Sequence, residues 1–255
     1  MLESTFNRGL LWTYWKTAHA QLGVALGDRG QDEFNTILAA YKAKGRKYHG
    51  IKHLVHGLDM IRQIQRSLLD LGTSFARIGP SVDMQPQTGL TFREMALLVL
   101  AFFYHDIIYD VSRKDNEVMS AKRAREYLSA FLREDELLRI DVLIHATADH
   151  QNSDVTDPLW PLMNDGDLAI MAAKRPIYEQ YGKKVWQEYR AIVKRLPFVT
   201  GRADFIKKFG SKPIFRTEFM MGRKEEIAKE NLFWEYARLV KEADELMAAH
   251  ANGAP

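Results

Sequence analysis

Residues 95–109 read MALLVLAFFYHDIIY: an unbroken apolar and aromatic run from Met95 to Tyr104, closed by the doublet His105-Asp106. The run is too short to cross a bilayer, which takes about 20 apolar residues. It predicts a central, buried helix over 95–108. An imidazole and a carboxylate at the end of such a helix are costly to bury unless they are paired or hold a cation. The doublet therefore points to a site as well as to a core.

The flanking sequence carries the same helical signature. Segments 10–22 and 34–41 place apolar residues three and four apart, and Leu54, Leu58, Ile61 and Ile64 form another such face. Segments 117–132 and 136–150 read as an amphipathic pair, and 178–196 and 225–247 complete the set. No convincing period-two run bounded by turn residues interrupts them. The expectation is an all-α fold, with one domain over 1–247 and a flexible tail over 248–255. Between the helices, residues 72–89 contain Gly72, Gly79, Pro80, Pro86 and Gly89 and predict a long loop, either a lid or a plain surface insertion. Shorter breaks are expected at 110–115, at 152–161 with its Asp157-Pro158 turn signal, and over 197–212.

Composition narrows the chemistry. The 255 residues include no cysteine, so disulfides and thiolate zinc sites are excluded and any metal must be held by nitrogen and oxygen. Absence of cysteine is compatible with a cytoplasmic location, and no apolar segment suggests a membrane role. With 36 basic against 33 acidic residues the net charge is +3, too balanced for a dedicated nucleic-acid binder. A few local cations remain available for a small anionic substrate.

Six of the eight histidines lie between His49 and His150. His49, His53 and His56 have i, i+4, i+7 spacing, which gives one helical face, and His49 sits at the expected helix start. Asp165 and Asp167 flank Gly166 before an apolar segment, where either could ligate or cap; capping suits Asp165 better. His145 and His150 are about 140° apart on a helix. His150, beside the following loop, is the better placed to reach a site.

The order His…His-Asp…Asp resembles the HD-domain metal-dependent phosphohydrolases, and more closely the bacterial group of predicted metal-dependent HD-superfamily hydrolases. The similarity runs through Arg46-Lys47-Tyr48-His49 with His53, Tyr104 to Asp110, Asp115-Asn116-Glu117 with Ser120-Ala121, Thr147 with His150, and Asp165 to Ile170. It continues through Glu188-Tyr189-Arg190, Gly201-Arg202 and Asn231-Leu232. Gly166 stands where that group often has alanine, a difference that reads as harmless. The resemblance implies an HD-type helical bundle with a metal between helices, held by His49, His105, Asp106 and Asp167.

These residues carry an expected reaction, hydrolysis of a phosphate ester, with a nucleotide as the favoured small phosphorylated substrate. The cofactor is a divalent ion, one of Mn, Fe, Co, Ni or Zn. Asp106 would ligate it and orient the attacking water, His53 or His150 would protonate the leaving oxygen, and Arg46, Lys47 and Lys52 would contact phosphate. Two competing expectations are a di-iron HD-type oxygenase and a nucleotide sensor without turnover.

Overall fold

The computed structural model describes residues 2–76 and 90–251. They form ten α-helices: α1 (Leu2–Gln21), α2 (Gly27–Ala40), α3 (Ile51–Ala76), α4 (Phe92–Tyr104), α5 (Asn116–Leu128), α6 (Glu134–Ala146), α7 (Trp160–Asp167), α8 (Arg175–Tyr189), α9 (Arg195–Gly210) and α10 (Glu218–Ala251). A 3-10 segment, Leu168–Ala172, follows α7 directly. No strand occurs among the described residues, and no helix there is long and apolar enough to cross a membrane. The fold is all-α.

Helix α4 is the centre. Residues Met95 to Leu98 and Leu100 to Tyr104 are all buried. A helix that is apolar nearly all round must be surrounded, and α4 packs against α1, α3, α5 and α6. Its start is a capping box: Thr91 Oγ1 accepts from the Glu94 amide at 3.1 Å, and a Glu94 carboxylate oxygen accepts from the Thr91 amide at 2.9 Å. Its end comes at Tyr104, four residues before the sequence expectation. The Arg46 guanidinium takes the Asp106 and Ile107 carbonyls at 2.5 and 2.7 Å, and the Ile108 amide donates to Ser120 Oγ at 3.1 Å. With those groups satisfied outside the helix, the chain turns away.

Helix α3 crosses α7 at two glycines. A Cβ on Gly57 would lie 2.0 Å from Phe102 Cζ and 3.0 Å from the Gly166 carbonyl oxygen. A Cβ on Gly166 would lie 2.7 Å from Ile61 Cγ1 and 3.2 Å from the Gly57 carbonyl oxygen. The contact is backbone on backbone. Gly166 is therefore not interchangeable with alanine unless Ile61 moves, contrary to the harmless reading of that position.

Several boundaries differ from the sequence reading. Residues 72–76, expected to open the long loop, continue α3 instead, and 77–89 lie outside the described residues. The stretch 197–212, expected to be irregular, is mostly helix α9; Pro197 falls in its first turn, where no amide partner is required. Helix α10 runs to Ala251 and so takes in 248–251 of the expected tail, and 252–255 lie outside the described residues. The buried apolar side chains of the described residues make one continuous core, to which α9 and α10 contribute Val199, Ile206, Met220 and Leu232.

The glycine crossing yields a stability test. Gly57→Ala should cost about 1–3 kcal/mol, the range for overpacking a dense core, read as a lowered urea midpoint at unchanged slope. An unchanged midpoint would mean that the close approach is not required.

Candidate metal centre

His53 lies one helical turn before Gly57 on α3, and Asp167 follows Gly166 at the end of α7. The glycine crossing therefore brings these two side chains together, and the C-terminus of α4 delivers His105 and Asp106 to the same point. His53 Nε2 is 3.1 Å from His105 Nε2, 3.2 Å from Asp167 Oδ1 and 3.5 Å from Asp106 Oδ2. His105 Nε2 is 3.3 Å from Asp106 Oδ2 and 3.5 Å from Asp167 Oδ1. His150, just beyond α6, places Nε2 3.2 Å from the other oxygen, Asp167 Oδ2.

Each of these imidazoles is anchored through Nδ1. His105 Nδ1 donates to the Phe102 carbonyl at 2.8 Å. His150 Nδ1 donates to Asn164 Oδ1 at 3.1 Å, and the Asn164 amide nitrogen donates to Asp165 Oδ1 and the Ile214 carbonyl, which fixes the amide's orientation. His53 Nδ1 meets the Tyr48 hydroxyl at 3.2 Å. A protonated Nδ1 leaves Nε2 with its lone pair facing inward, the arrangement that outer hydrogen-bond partners impose on ligating histidines. Two such lone pairs 3.1 Å apart repel unless a proton or cation lies between them.

The spacing fits a cation. With bonds of about 2.1 Å, ligand atoms on a divalent first-row ion stand roughly 3.0 Å apart at right angles and roughly 3.4 Å apart at tetrahedral angles. Among the described residues, His53, His105 and Asp167 have ligand atoms within 4.8 Å of one another and could hold a metal ion. His53 and His105 are buried, as a site shielded from bulk water requires.

Protonation substitutes for the cation in the metal-free cluster. Burial opposes charge on His105, yet the Asp106 carboxylate, with Tyr41 and Asp167, holds its pKa well above the ordinary imidazole value. Burial would raise both carboxyls, but His105 above all pulls Asp106 and Asp167 below the ordinary carboxylate range.

The other sequence candidates sort differently. His49 precedes α3 and does not join the converging nitrogens. Its Nδ1 donates to Glu188 Oε2 at 2.8 Å, and its ring stacks on Tyr109 with centroids 4.1 Å apart. It is His53 that has a ligand atom in the group with His105 and Asp167 that could hold a metal ion. Arg46, expected on phosphate, lies over the rings of Tyr41 and Tyr109 and spends both terminal nitrogens on the carbonyls of His49, Asp106 and Ile107. Lys47 has an exposed side chain, and its amide donates to Glu188 Oε1 at 2.6 Å. Lys52 is exposed in the first turn of α3. His56 and His145 are exposed and outside the cluster. Asp165 is buried and accepts from the Arg216 and Thr217 amides, so it caps the entry to α10 rather than its own segment. Asp115, just before α5, makes no side-chain cap there and spends its carboxylate on Arg113.

Sequence reasoning gave three residues no role of their own. Tyr48 and Asn164 orient His53 and His150. Glu188 accepts from the amides of Lys47, Tyr48 and His49 and from the hydroxyl of Tyr109. Burial would raise the Glu188 carboxyl, but the His49 bond and these amides hold it below its usual value. A glutamate at the apolar spacing of α8 was the available signal.

Tyr48→Phe should weaken metal affinity about 10–100-fold, the range for removing an outer partner of a ligand histidine, measured by competition with a chromogenic chelator. Metal binding should also release protons. Below its raised pKa His105 is protonated in the metal-free protein, so at pH 7 a bound cation displaces that proton and affinity falls as pH is lowered. Calorimetry in buffers of different ionisation enthalpy reads the proton count, and zero release would contradict the cluster as described. No protein-family model, curated protein or solved structure matches this chain.

Proposed function

We propose that the chain is a metal-dependent phosphohydrolase of the HD type, acting on a phosphate ester, with nucleotides as the first substrates to try. The supporting observation is the convergence of His53 and His105 Nε2 on Asp106 and Asp167, each imidazole held from behind through Nδ1. The order His53…His105-Asp106…Asp167 retains the HD pattern with the first histidine moved by one helical turn.

His53, His105, Asp106 and Asp167 would hold the ion. A bound divalent cation would lower the pKa of a coordinated water and polarise a phosphoryl oxygen. Asp106, half-buried at the end of α4, orients the water by accepting its hydrogen bond. His150 is placed to exchange a proton with the leaving oxygen, since Asn164 fixes its ring and its Nε2 lies 3.2 Å from Asp167 Oδ2. His49, held by Glu188, is the second acid available at the site's edge.

One observation favours a second reading. Asp167 offers Oδ1 to His53 and His105 but Oδ2 to His150. A carboxylate that turns its two oxygens to separate imidazoles can bridge two cations. That arrangement suits a two-metal phosphohydrolase or a di-iron oxygenase.

The test is phosphate release from a nucleotide panel with Mn²⁺, Co²⁺, Ni²⁺, Mg²⁺ or Zn²⁺, alongside metal analysis of the purified protein. Metal-dependent release is expected. Asp106→Ala should reduce it more than about 100-fold, beyond the loss typical of outer partners. Two metals per chain with oxygen uptake and no release would overturn hydrolysis in favour of oxygen chemistry.

A further inference from the structure

A cavity of about 500 Å³ opens beside the metal cluster. Its walls include Tyr109, Tyr181, Val185, Tyr189, Phe198 and Gly201, supplied by α8, α9 and the turn after α4. His49 belongs to both places: it lines the cavity, and its ring centroid is 5.8 Å from that of His53. The volume falls in the range that encloses most of a small organic ligand, about 300–1,000 Å³. It far exceeds what a phosphate group fills.

The lining is uncharged in effect. Its one cationic side chain, Arg202, and its one imidazole, His49, are both committed. Arg202 donates through Nε and Nη2 to the two oxygens of the buried Glu235 at 2.6 and 3.1 Å, and its guanidinium lies 5.1 Å from the Tyr181 ring centroid. His49 is bound to Glu188, and the Tyr109 hydroxyl donates to the same carboxylate at 3.1 Å. What remains facing the space is mainly aromatic and aliphatic surface with tyrosines among it, which favours flat, uncharged guests over anions.

We infer that this cavity binds an uncharged aromatic ring, the organic half of a substrate whose anionic half lies at the metal cluster. The orientation rests on the phosphohydrolase reading above; the ring site does not. Burial of a ring among these side chains supplies binding energy remote from the reacting atoms, which fixes the ester against the cluster. Esters with small aliphatic groups leave the cavity empty and forgo that contribution.

Gly201 provides the means to test this. It lies in α9 without positive φ, and a Cβ built there meets nothing within 4 Å. Gly201→Leu therefore projects bulk into free space at a helical position where leucine is the better helix former. Three probes are titrated calorimetrically into Mn²⁺-loaded protein: 2-naphthylmethanol for the cavity, methylphosphonate for the cluster, and 2-naphthylmethylphosphonate for both. The neutral alcohol should bind, and Gly201→Leu should weaken it at least tenfold with metal content unchanged. Tyr189→Leu, which removes a ring but keeps bulk, should weaken it in the same direction. The joined probe should bind at least tenfold more tightly than either part.

An alcohol that fails to bind, or binds wild type and Gly201→Leu alike, overturns the ring site. A joined probe no tighter than the alcohol overturns the orientation. Methylphosphonate that fails to bind while the alcohol still does counts against the phosphate reading and leaves the ring site standing.

Discussion

The contact of Gly57 with Gly166 is the constraint on which the site depends. Two helices can bring their backbones this close only where neither carries a side chain, and the cluster of His53, His105, Asp106 and Asp167 lies within a turn of the crossing on both sides. Side chains as short as aspartate can then reach across to an imidazole on the facing helix. A wider crossing would separate His53 from Asp167 and leave a largely buried carboxylate without one of its imidazole partners, a costly arrangement. Helix α4 fills the remaining side, and Phe102 packs against the very glycine that allows the approach.

Around this crossing the polar groups are satisfied in layers. The inner nitrogens and oxygens face one another, and the outer atoms of the same residues are held by Phe102, Asn164 and Tyr48. Further out, Glu33 bonds Tyr104 and Arg123, and Glu235 bonds Tyr178 and Arg202. Each of these carboxylates is buried and each has a hydrogen-bonded partner, as burial of charge requires. The ring-lined cavity is the exception in character: it is walled by groups that have already found partners elsewhere.

Much of the fold was legible because α4 has no polar face and its neighbours have clear apolar stripes. Helix α9 was not, because Pro197, Gly201 and Gly210 suggest breaks and its apolar residues hold no sharp stripe. Proline in a first helical turn is harmless, a fact visible only once the helix start is known. In the site, His105, Asp106 and Asp167 were marked by the cost of placing them beside apolar sequence. The choice between His49 and His53 was not legible. Their four-residue spacing is equivalent on a continuous helix, but α3 begins at Ile51, so His49 belongs to the preceding turn, where Glu188 and Tyr109 hold its ring. Arg46 misled for a related reason. A guanidinium suits phosphate and backbone carbonyls equally well, and only the tertiary position of the α4 terminus decided between them.

Glu188 has a consequence for dynamics. Its Oε1 gathers three successive amides, Lys47, Tyr48 and His49, from a segment that belongs to no helix. Amides in such a turn ordinarily exchange with solvent in the first moments of labelling. Here all three donate to one oxygen of a side chain on α8, so those bonds must break before the amides exchange. Deuterium uptake at 47–49 thus reads the hold of α8 on the segment that carries His49.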